Sequence, residues 1–298
     1  MASSPQVFDR MLLRRRRQRA RALGPVTFLL DRVASDLAER LDAVLREFPV
    51  AVNLGTPTDA VRRALADKKS IGALVTVDTL PAQGLAVVAD EEALPFRDAS
   101  LDLVVSALAL QFVNDLPGTL IQVRRALKPD GLLLAALTGG DTLAELRQAF
   151  AEAEAEVEGG ASPHVAPFAD VREIGALLQR AGFALPVTDV DRLAVRYASP
   201  FALMADLRRM GATNALLERR RMPLRRATLA RMAEIYAARF ADPDGRIRAT
   251  FEIVWLSGWA PHESQQKPLR PGSAQTRLAD ALGTREIGTG EKAGRAER

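Results

Sequence analysis

The chain has 298 residues and a formal net charge of +4, from 41 basic and 37 acidic side chains, so its charge balance predicts little about its partners. It has no cysteine, which excludes disulfides, thiolate catalysis and cysteine-ligated zinc or iron–sulfur centres. Hydrophobic residues make up 48% of the sequence, ample for a large core, and no apolar run approaches the ~20 residues that span a bilayer.

Short continuous apolar runs alternate with helical stretches in the first half of the chain. The predicted strands lie at 50–55, 73–77, 87–88, 101–105 and 132–137, with a helix at 116–127 that stops at Lys128-Pro129-Asp130-Gly131. Proline cannot continue a helix and glycine tolerates positive φ, so this tetrapeptide is predicted to be a turn. The alternation predicts an α/β fold with a mostly parallel sheet covered by helices on both faces.

The second half of the chain predicts a helical insertion before the last strand. Helices are expected at 142–157, 170–182, 201–210 and 227–240, and strands at 187–195 and 249–256. The insertion therefore spans about 198–245. From residue 263 onward proline, glycine, serine and charged residues dominate, which predicts one domain at 1–262 and a disordered tail at 263–298.

Six sequence blocks carry a resemblance to a known family. The blocks DEEALPF at 90–96, LDLVVSALALQFVND at 101–115 and LKPDGLLL at 127–134 resemble the middle of class I S-adenosylmethionine methyltransferases. Three later blocks, GGDTLAELR at 139–147, EGGASPHVAPF at 158–168 and GWAPHESQ at 258–265, resemble one branch, the assembly factors of respiratory complex I. The likeness runs from about Val7 to Ser273.

The resemblance implies a Rossmann-like methyltransferase fold, S-adenosylmethionine as cofactor, and hydroxylation of an arginine in an iron–sulfur subunit of NADH dehydrogenase. It also implies a cytoplasmic protein, or a mitochondrial matrix protein in a eukaryote, with no nucleic-acid partner and at most peripheral membrane contact. Two alternatives stay open at this point. One is an ordinary methyltransferase acting on a small molecule or a carrier-bound acid, and the other is a non-catalytic assembly protein on a degenerate fold.

The family pattern, carried onto this sequence, marks the cofactor side of the fold. The expected cofactor-binding residues are Asn53, Gly55, Asp78, Asp90, Glu91 and Ser106. Glycine lets the backbone after the first strand approach a ligand, and Asp78 is placed to accept hydrogen bonds from ribose hydroxyls.

The loop after the first strand departs from the family pattern, which has glycines where this chain has Pro57 and Asp59, and an acidic residue at Asn53. Two interpretations stay open. In one, the loop binds S-adenosylmethionine weakly or in altered geometry, because Asp59 repels the cofactor's carboxylate. In the other, the loop is a structural helix start with Thr56 as N-cap and Pro57 in the first turn.

Candidate catalytic residues come from the later blocks: Asp141, His164, His262 and Glu263. Asp141 is also a candidate cap for the helix at 142–157. A loop histidine is more often structural than catalytic. Two histidines and a carboxylate can bind iron where they converge, but no metal is predicted. The alternating glutamates at 152, 154, 156 and 158 are expected to form a solvated face.

An arginine run at 14–17, 19 and 21 opens the chain. The favoured interpretation is a helix with a solvated basic face. The alternatives are an arm that closes over the cofactor or grips an acidic partner, and a nucleic-acid arm.

Overall fold

The computed structural model describes residues 6–81, 86–266, 280 and 282–284. The chain divides into two units, Met1–His262 and Glu263–Arg298, and the tail predicted to be disordered falls largely outside the described residues. The helices of the first unit are α1 (Arg10–Ala22), α2 (Phe28–Asp42), α3 (Ala60–Ala64), α4 (Leu116–Ala126), α5 (Ala144–Glu158), α6 (Val171–Arg180), α7 (Pro200–Arg209) and α8 (Arg226–Phe240). Its strands are β1 (Phe48–Leu54), β2 (Ile71–Asp78), β3 (Val87–Val88), β4 (Leu101–Ala107), β5 (Leu127–Thr138), β6 (Ala184–Tyr197) and β7 (Ile247–Trp259).

The strands form one mostly parallel sheet in the order β3-β2-β1-β4-β5-β7-β6. β1 pairs in parallel with both β2 and β4, β4 pairs in parallel with β5, and β7 runs antiparallel to its neighbours β5 and β6. The carboxyl ends of the parallel strands therefore meet at one edge of the sheet. The strand order reverses between β1 and β4, and ligands of open α/β sheets bind in the crevice outside such a reversal.

Helices cover both faces of the sheet, as predicted. The larger core packs α2, α5, α7 and α8 against one face, and the other core packs α4 and α6 against the opposite face. α1 lies outside both layers, in a small apolar cluster with the chain after β4, where the rings of Phe8 and Phe112 meet edge to face at 5.7 Å. This packing holds α1 across the crevice.

The predicted turn at Lys128-Pro129-Asp130-Gly131 is wrong in part. α4 ends at Ala126 as expected, but the strand begins at once with Leu127, and only Asp130 takes a turn-like φ of 66°. The reason is tertiary, because the backbone of Asp130 and Gly131 is hydrogen-bonded to Ala260 after β7. α2 was not among the predicted elements. In the described ranges, every helix is too short or too polar to cross a lipid bilayer.

Candidate functional site

The loop after β1 needs its glycine. Gly55 has φ +71°, and a Cβ at this position would lie 2.6 Å from the Glu91 carboxylate. The predicted helix cap at Thr56 is wrong, because α3 starts only at Ala60 and the Thr56 hydroxyl instead donates to Asn53 Oδ1 at 2.6 Å. Thr56 is buried and ties the end of β1 to its own loop.

Replacing Gly55 by alanine is expected to lower the free energy of unfolding by about 2 kcal/mol, because both the backbone conformation and the contact with Glu91 become unfavourable. Gly159→Ala is the matched control, since Gly159 has a similar φ of +76° but no atom near its Cβ position. Urea unfolding of the two variants separates backbone strain from the close approach. Equal losses in both variants would show that the Glu91 contact costs nothing.

The Asp59 carboxylate, expected from the sequence to repel a ligand's carboxylate, is paired with two arginines in the structure. Its side chain is exposed and pairs with Arg62 at 3.3 Å and Arg63 at 3.1 Å. Two neighbouring guanidinium groups therefore neutralise its charge at the solvent surface.

Asn53 and Ser106 are both buried at the ends of adjacent strands. The Ser106 hydroxyl donates to the carbonyl of Leu54 at 2.8 Å, which links β4 to β1 and gives Ser106 a structural role. The Nδ2 group of Asn53 has no hydrogen-bond partner. An unpaired buried donor costs free energy. Of these two residues, Asn53 is therefore the one whose free donor a ligand's acceptor would satisfy.

The three acidic residues of the cofactor side are occupied by arginines of α1. Asp78 Oδ2 accepts from Arg21 at 2.6 Å, Asp90 accepts from Arg14 at 2.5 Å, and Arg10 binds both Asp90 and Glu91. The solvated basic face favoured from the sequence is therefore wrong. These arginines follow one another at helical spacing on a single face of α1, a signal present in the sequence.

Arg17 lies deepest in this network, with 5% of its surface exposed. Its Nη1 is 3.6 Å from Glu91 and 3.9 Å from Asp78, while its Nη2 has no hydrogen-bond partner. Burial lowers the pKa of the Arg17 guanidinium below its ordinary value, although Glu91 and Asp78 oppose that shift. α1 thus closes the acidic side of the crevice and places there the buried Arg17 guanidinium, one of whose donors has no hydrogen-bond partner.

A narrow cavity of about 100 Å³ lies beside Arg17, at the carboxyl ends of β4 and β5. Its wall is mostly apolar and includes Pro57, Leu108 and Leu143. Leu108 and Leu143 have φ of 51° and 55°, a conformation that costs a non-glycine residue about 1 kcal/mol or more. Strained residues of this kind concentrate at functional sites.

Three polar atoms in residues that line this cavity have no hydrogen-bond partner: Arg17 Nη2, Gln111 Oε1 and Thr138 Oγ1. Together they offer a charged donor, an acceptor and a hydroxyl. A ligand with both an anionic and an ammonium group matches this set. Neither Gln111 nor Thr138 was among the residues predicted from the sequence, because no local pattern marks them.

His164, which is partly buried, pairs with the buried Glu154. Glu154 is 1% exposed and accepts from His164 Nε2 at 3.0 Å and from the Ser162 backbone at 2.6 Å. The same His164 nitrogen lies 3.3 Å from the Ser162 hydroxyl, so the three residues do not form a relay, which requires two different ring nitrogens. Arg220 approaches Glu154 from the insertion at 3.5 Å.

The predicted solvated glutamate face is wrong. α5 packs against α8, and the glutamates along this seam meet arginines: Glu152 with Arg239, Glu156 with Arg231, and Glu158 with Arg220. The charge run is an interface between α5 and the helical insertion.

The candidate catalytic residues of the first unit are spread over different elements. Asp141 follows the carboxyl end of β5 and pairs with Arg192 at 2.6 Å; it does not cap α5, which begins after Leu143. His262 follows Trp259, which pairs with Leu132 at the opposite, amino end of β5. Glu263 begins the second unit.

The residues that the structure describes contain no group of three histidine or acidic side chains arranged to hold a metal ion.

Comparisons with known proteins agree with this geometry. Residues 52–135 match a family model described as a methyltransferase domain. The chain is 41% identical over 281 residues to the protein named "Arginine-hydroxylase NDUFAF5, mitochondrial" of Homo sapiens, covering 90% of this chain and 81% of that protein. The chain belongs to the NDUFAF5 arginine-hydroxylase family. The resemblance predicted from the later sequence blocks is thereby confirmed.

Two further similarities place this family on the wider methyltransferase fold. The malonyl-[acyl-carrier protein] O-methyltransferase of Gallionella capsiferriformans is 33% identical, over 86% of this chain and 92% of that protein. The structure of a putative methyltransferase from Bacillus halodurans matches 76% of this chain and 99% of its own, with a TM-score of 0.51 and 15% identity. The predicted class I methyltransferase fold is confirmed.

Proposed function

We propose that this protein is an assembly factor of respiratory NADH dehydrogenase that hydroxylates an arginine of an iron–sulfur subunit. The observation that carries the proposal is the 41% identity to a relative named an arginine-hydroxylase, extending over 90% of the chain and thus over the insertion as well as the cofactor half. The proposed place of action is the cytoplasm, or the mitochondrial matrix in a eukaryotic cell.

The crevice fits S-adenosylmethionine at its methionine end. The amino acid end of the cofactor carries a carboxylate and an ammonium group. Arg17 Nη2 and the Thr138 hydroxyl would donate hydrogen bonds to the carboxylate, and Gln111 Oε1 would accept a hydrogen bond from the ammonium group. Asp78 would take the ribose hydroxyls, and Asp90 and Glu91 would face the adenine. A bound sulfonium would supply an electrophilic methyl group, which serves the methyltransferase alternative and is not consumed in the hydroxylation.

The adenosine end fits less well, because α1 already occupies its carboxylates. Arg21 competes for Asp78, and Arg10 and Arg14 compete for Asp90. We therefore expect S-adenosylmethionine to bind weakly, at a cost set by breaking these buried ion pairs. Breaking the ion pairs of Arg10, Arg14 and Arg21, with Arg17 still in place, is the step that opens this end of the crevice.

Exposed apolar side chains support a protein partner. Leu23 and Phe201 are each 51% exposed beside the crevice, and Met11 of α1 is 60% exposed. Large apolar side chains left in water next to a functional cleft are typical of a docking surface. A partner that binds here would contact α1 and α7 together.

The test is deletion of this protein in its native cells, followed by isolation of NADH dehydrogenase and intact mass measurement of its subunits. We expect assembled enzyme to be lost and one oxygen atom to be missing from an iron–sulfur subunit. Complementation with the wild-type chain should restore both. Hydroxylation takes one oxygen atom from O₂ and releases the other as water, consuming two electrons and two protons, so a purified assay must contain a reductant.

Two other outcomes identify the alternatives. A partner that gains a CH₂ group, or an unmodified partner with a methyl ester missing from a carrier-bound acid, would establish an ordinary methyltransferase. The similarity to malonyl-[acyl-carrier protein] O-methyltransferases favours this second function. Assembly that is restored without any mass change on the partner would establish a non-catalytic role, which the α1 arginines on the cofactor carboxylates favour.

A further inference from the structure

A second, wider chamber lies next to the narrow cavity. Its volume is about 640 Å³, within the range of small-molecule sites. The two share six lining residues, Phe112, Leu143, Phe168, Leu207, Arg209 and Ala212, so they are neighbouring spaces under α1 and α7. None of the polar residues proposed to bind the cofactor lines the wider chamber.

The inner wall of the chamber is apolar. Leu146, Phe150 and Val165 line it and are all buried, with 8% exposure or less. The His164 ring stacks on Phe150 at 4.0 Å, and its Nε2 is already hydrogen-bonded to Glu154. This wall accepts a hydrocarbon body.

The rim of the chamber is both apolar and cationic. Leu23 and Phe201 are half exposed there, and Arg208 and Arg209 at the end of α7 are exposed beside them. Among the described residues that line the chamber, none is an aspartate or a glutamate. A guanidinium or ammonium group would therefore meet only like charges in this space.

We propose that this chamber binds a medium-chain carboxylate, with its hydrocarbon chain against the buried wall and its carboxylate at the rim beside Arg208. Charge-assisted hydrogen bonds from arginine to a carboxylate fix the head group, and burial of the chain supplies the remaining affinity. The chamber excludes the substrate guanidinium, so the proposed arginine chemistry would take place outside it, although Leu23 and Phe201 belong both to its rim and to the proposed docking surface. It also differs from a site for a carrier-bound acid, in which the carboxylate points inward and the chain leads out.

The test is calorimetric titration of the full chain with three ligands of equal length: decanoate, decan-1-ol and decylammonium. We expect decanoate to bind about tenfold more tightly than decan-1-ol, and decylammonium not to bind. Equal affinity for decanoate and decan-1-ol would reduce the site to a hydrophobic cavity, and tighter binding of decylammonium would overturn the proposal. The methyl ester of decanoic acid, which keeps the chain but loses the charge, is expected to match decan-1-ol.

Two matched pairs of variants locate the site. Arg208→Ala should weaken decanoate several-fold and leave decan-1-ol unchanged, whereas Arg180→Ala, another exposed arginine in the last turn of a helix, should change neither. Ala205→Trp fills the exposed mouth and should abolish binding of both, whereas Ala230→Trp, at an exposed position of α8, should not. Thermal unfolding confirms that each variant is folded. An Ala205→Trp protein that is folded and still binds decanoate contradicts the proposed location.

Discussion

Replacing Glu154 by alanine is expected to lower the free energy of unfolding by about 3 kcal/mol, although its neighbours in sequence suggest a solvated charge run. Glu154 is 1% exposed and accepts hydrogen bonds from Ser162 and His164, with Arg220 at 3.5 Å. Its removal leaves two partly buried donors and a cation of the insertion without their acceptor.

The matched control is Glu156→Ala, two positions along the same helix. The Glu156 side chain is 44% exposed and pairs with an exposed Arg231, so its loss should not change the midpoint of urea unfolding measurably. Equal effects of the two substitutions on the free energy of unfolding would contradict the prediction and would show that the glutamates of α5 form a single solvated face.

Acidification provides an independent check on Glu154. Burial by itself raises the pKa of this carboxyl, but hydrogen bonds from His164 and Ser162 outweigh burial and hold the pKa below the ordinary value of 4.5. A lowered pKa means that the ionised form stabilises the fold above pH 4.5, and that this contribution is lost as the pH falls through the folded-state pKa. The stability difference between wild type and Glu154→Ala should therefore narrow below that pH.

Replacing Arg21 by alanine is expected to tighten S-adenosylmethionine binding about tenfold, since it releases the Asp78 carboxylate that we propose binds the cofactor's ribose. Asp78 Oδ2 accepts from Arg21 at 2.6 Å, and ribose hydroxyls would donate to the same carboxylate. Calorimetric titration measures the effect. Arg15→Ala is the control, because Arg15 is exposed on the same helix.

Two further variants decide which residues hold the cofactor. Asp78→Ala should abolish binding. Thr138→Val keeps the side-chain shape and removes a hydroxyl that has no partner in the protein, so it should weaken binding without lowering the thermal midpoint. A loss of affinity in Arg21→Ala would mean that α1 grips the cofactor instead of competing with it, and no binding by any variant would remove S-adenosylmethionine from the proposal.

The competition at Asp78 suggests how a partner and a cofactor become linked. α1 is held over the crevice by ion pairs to Asp78, Asp90 and Glu91, and by the edge contact of Phe8 with Phe112. A partner that binds the exposed apolar side chains of α1 and α7 gains access to the element that closes the cofactor side. Ligands that prefer the displaced state of α1 shift its population by their difference in affinity for the two states.

The sequence by itself determined the family and the order of the strands and helices, apart from α2. Continuous apolar runs such as 101–105 and 132–137 form central strands buried on both faces, and this pattern depends on local composition alone. Gly55 and Asp78 were also located correctly at the ends of β1 and β2, because a parallel strand delivers its last residues to the same edge of the sheet.

Only the tertiary structure decided what the charged residues do. The arginines of α1 and the glutamates of α5 were both predicted to form solvated faces, because a charge pattern on a helix does not reveal which element packs against it. In the fold, α1 lies on the acidic residues of the cofactor side and α8 lies on α5, so Arg17 and Glu154 become buried ionic groups. Gln111 and Thr138 could not be found from the sequence for the same reason. Both line the cavity beside Arg17 and have buried polar atoms without a partner, and this cavity forms only because α1 packs over the strand ends through contacts distant in sequence.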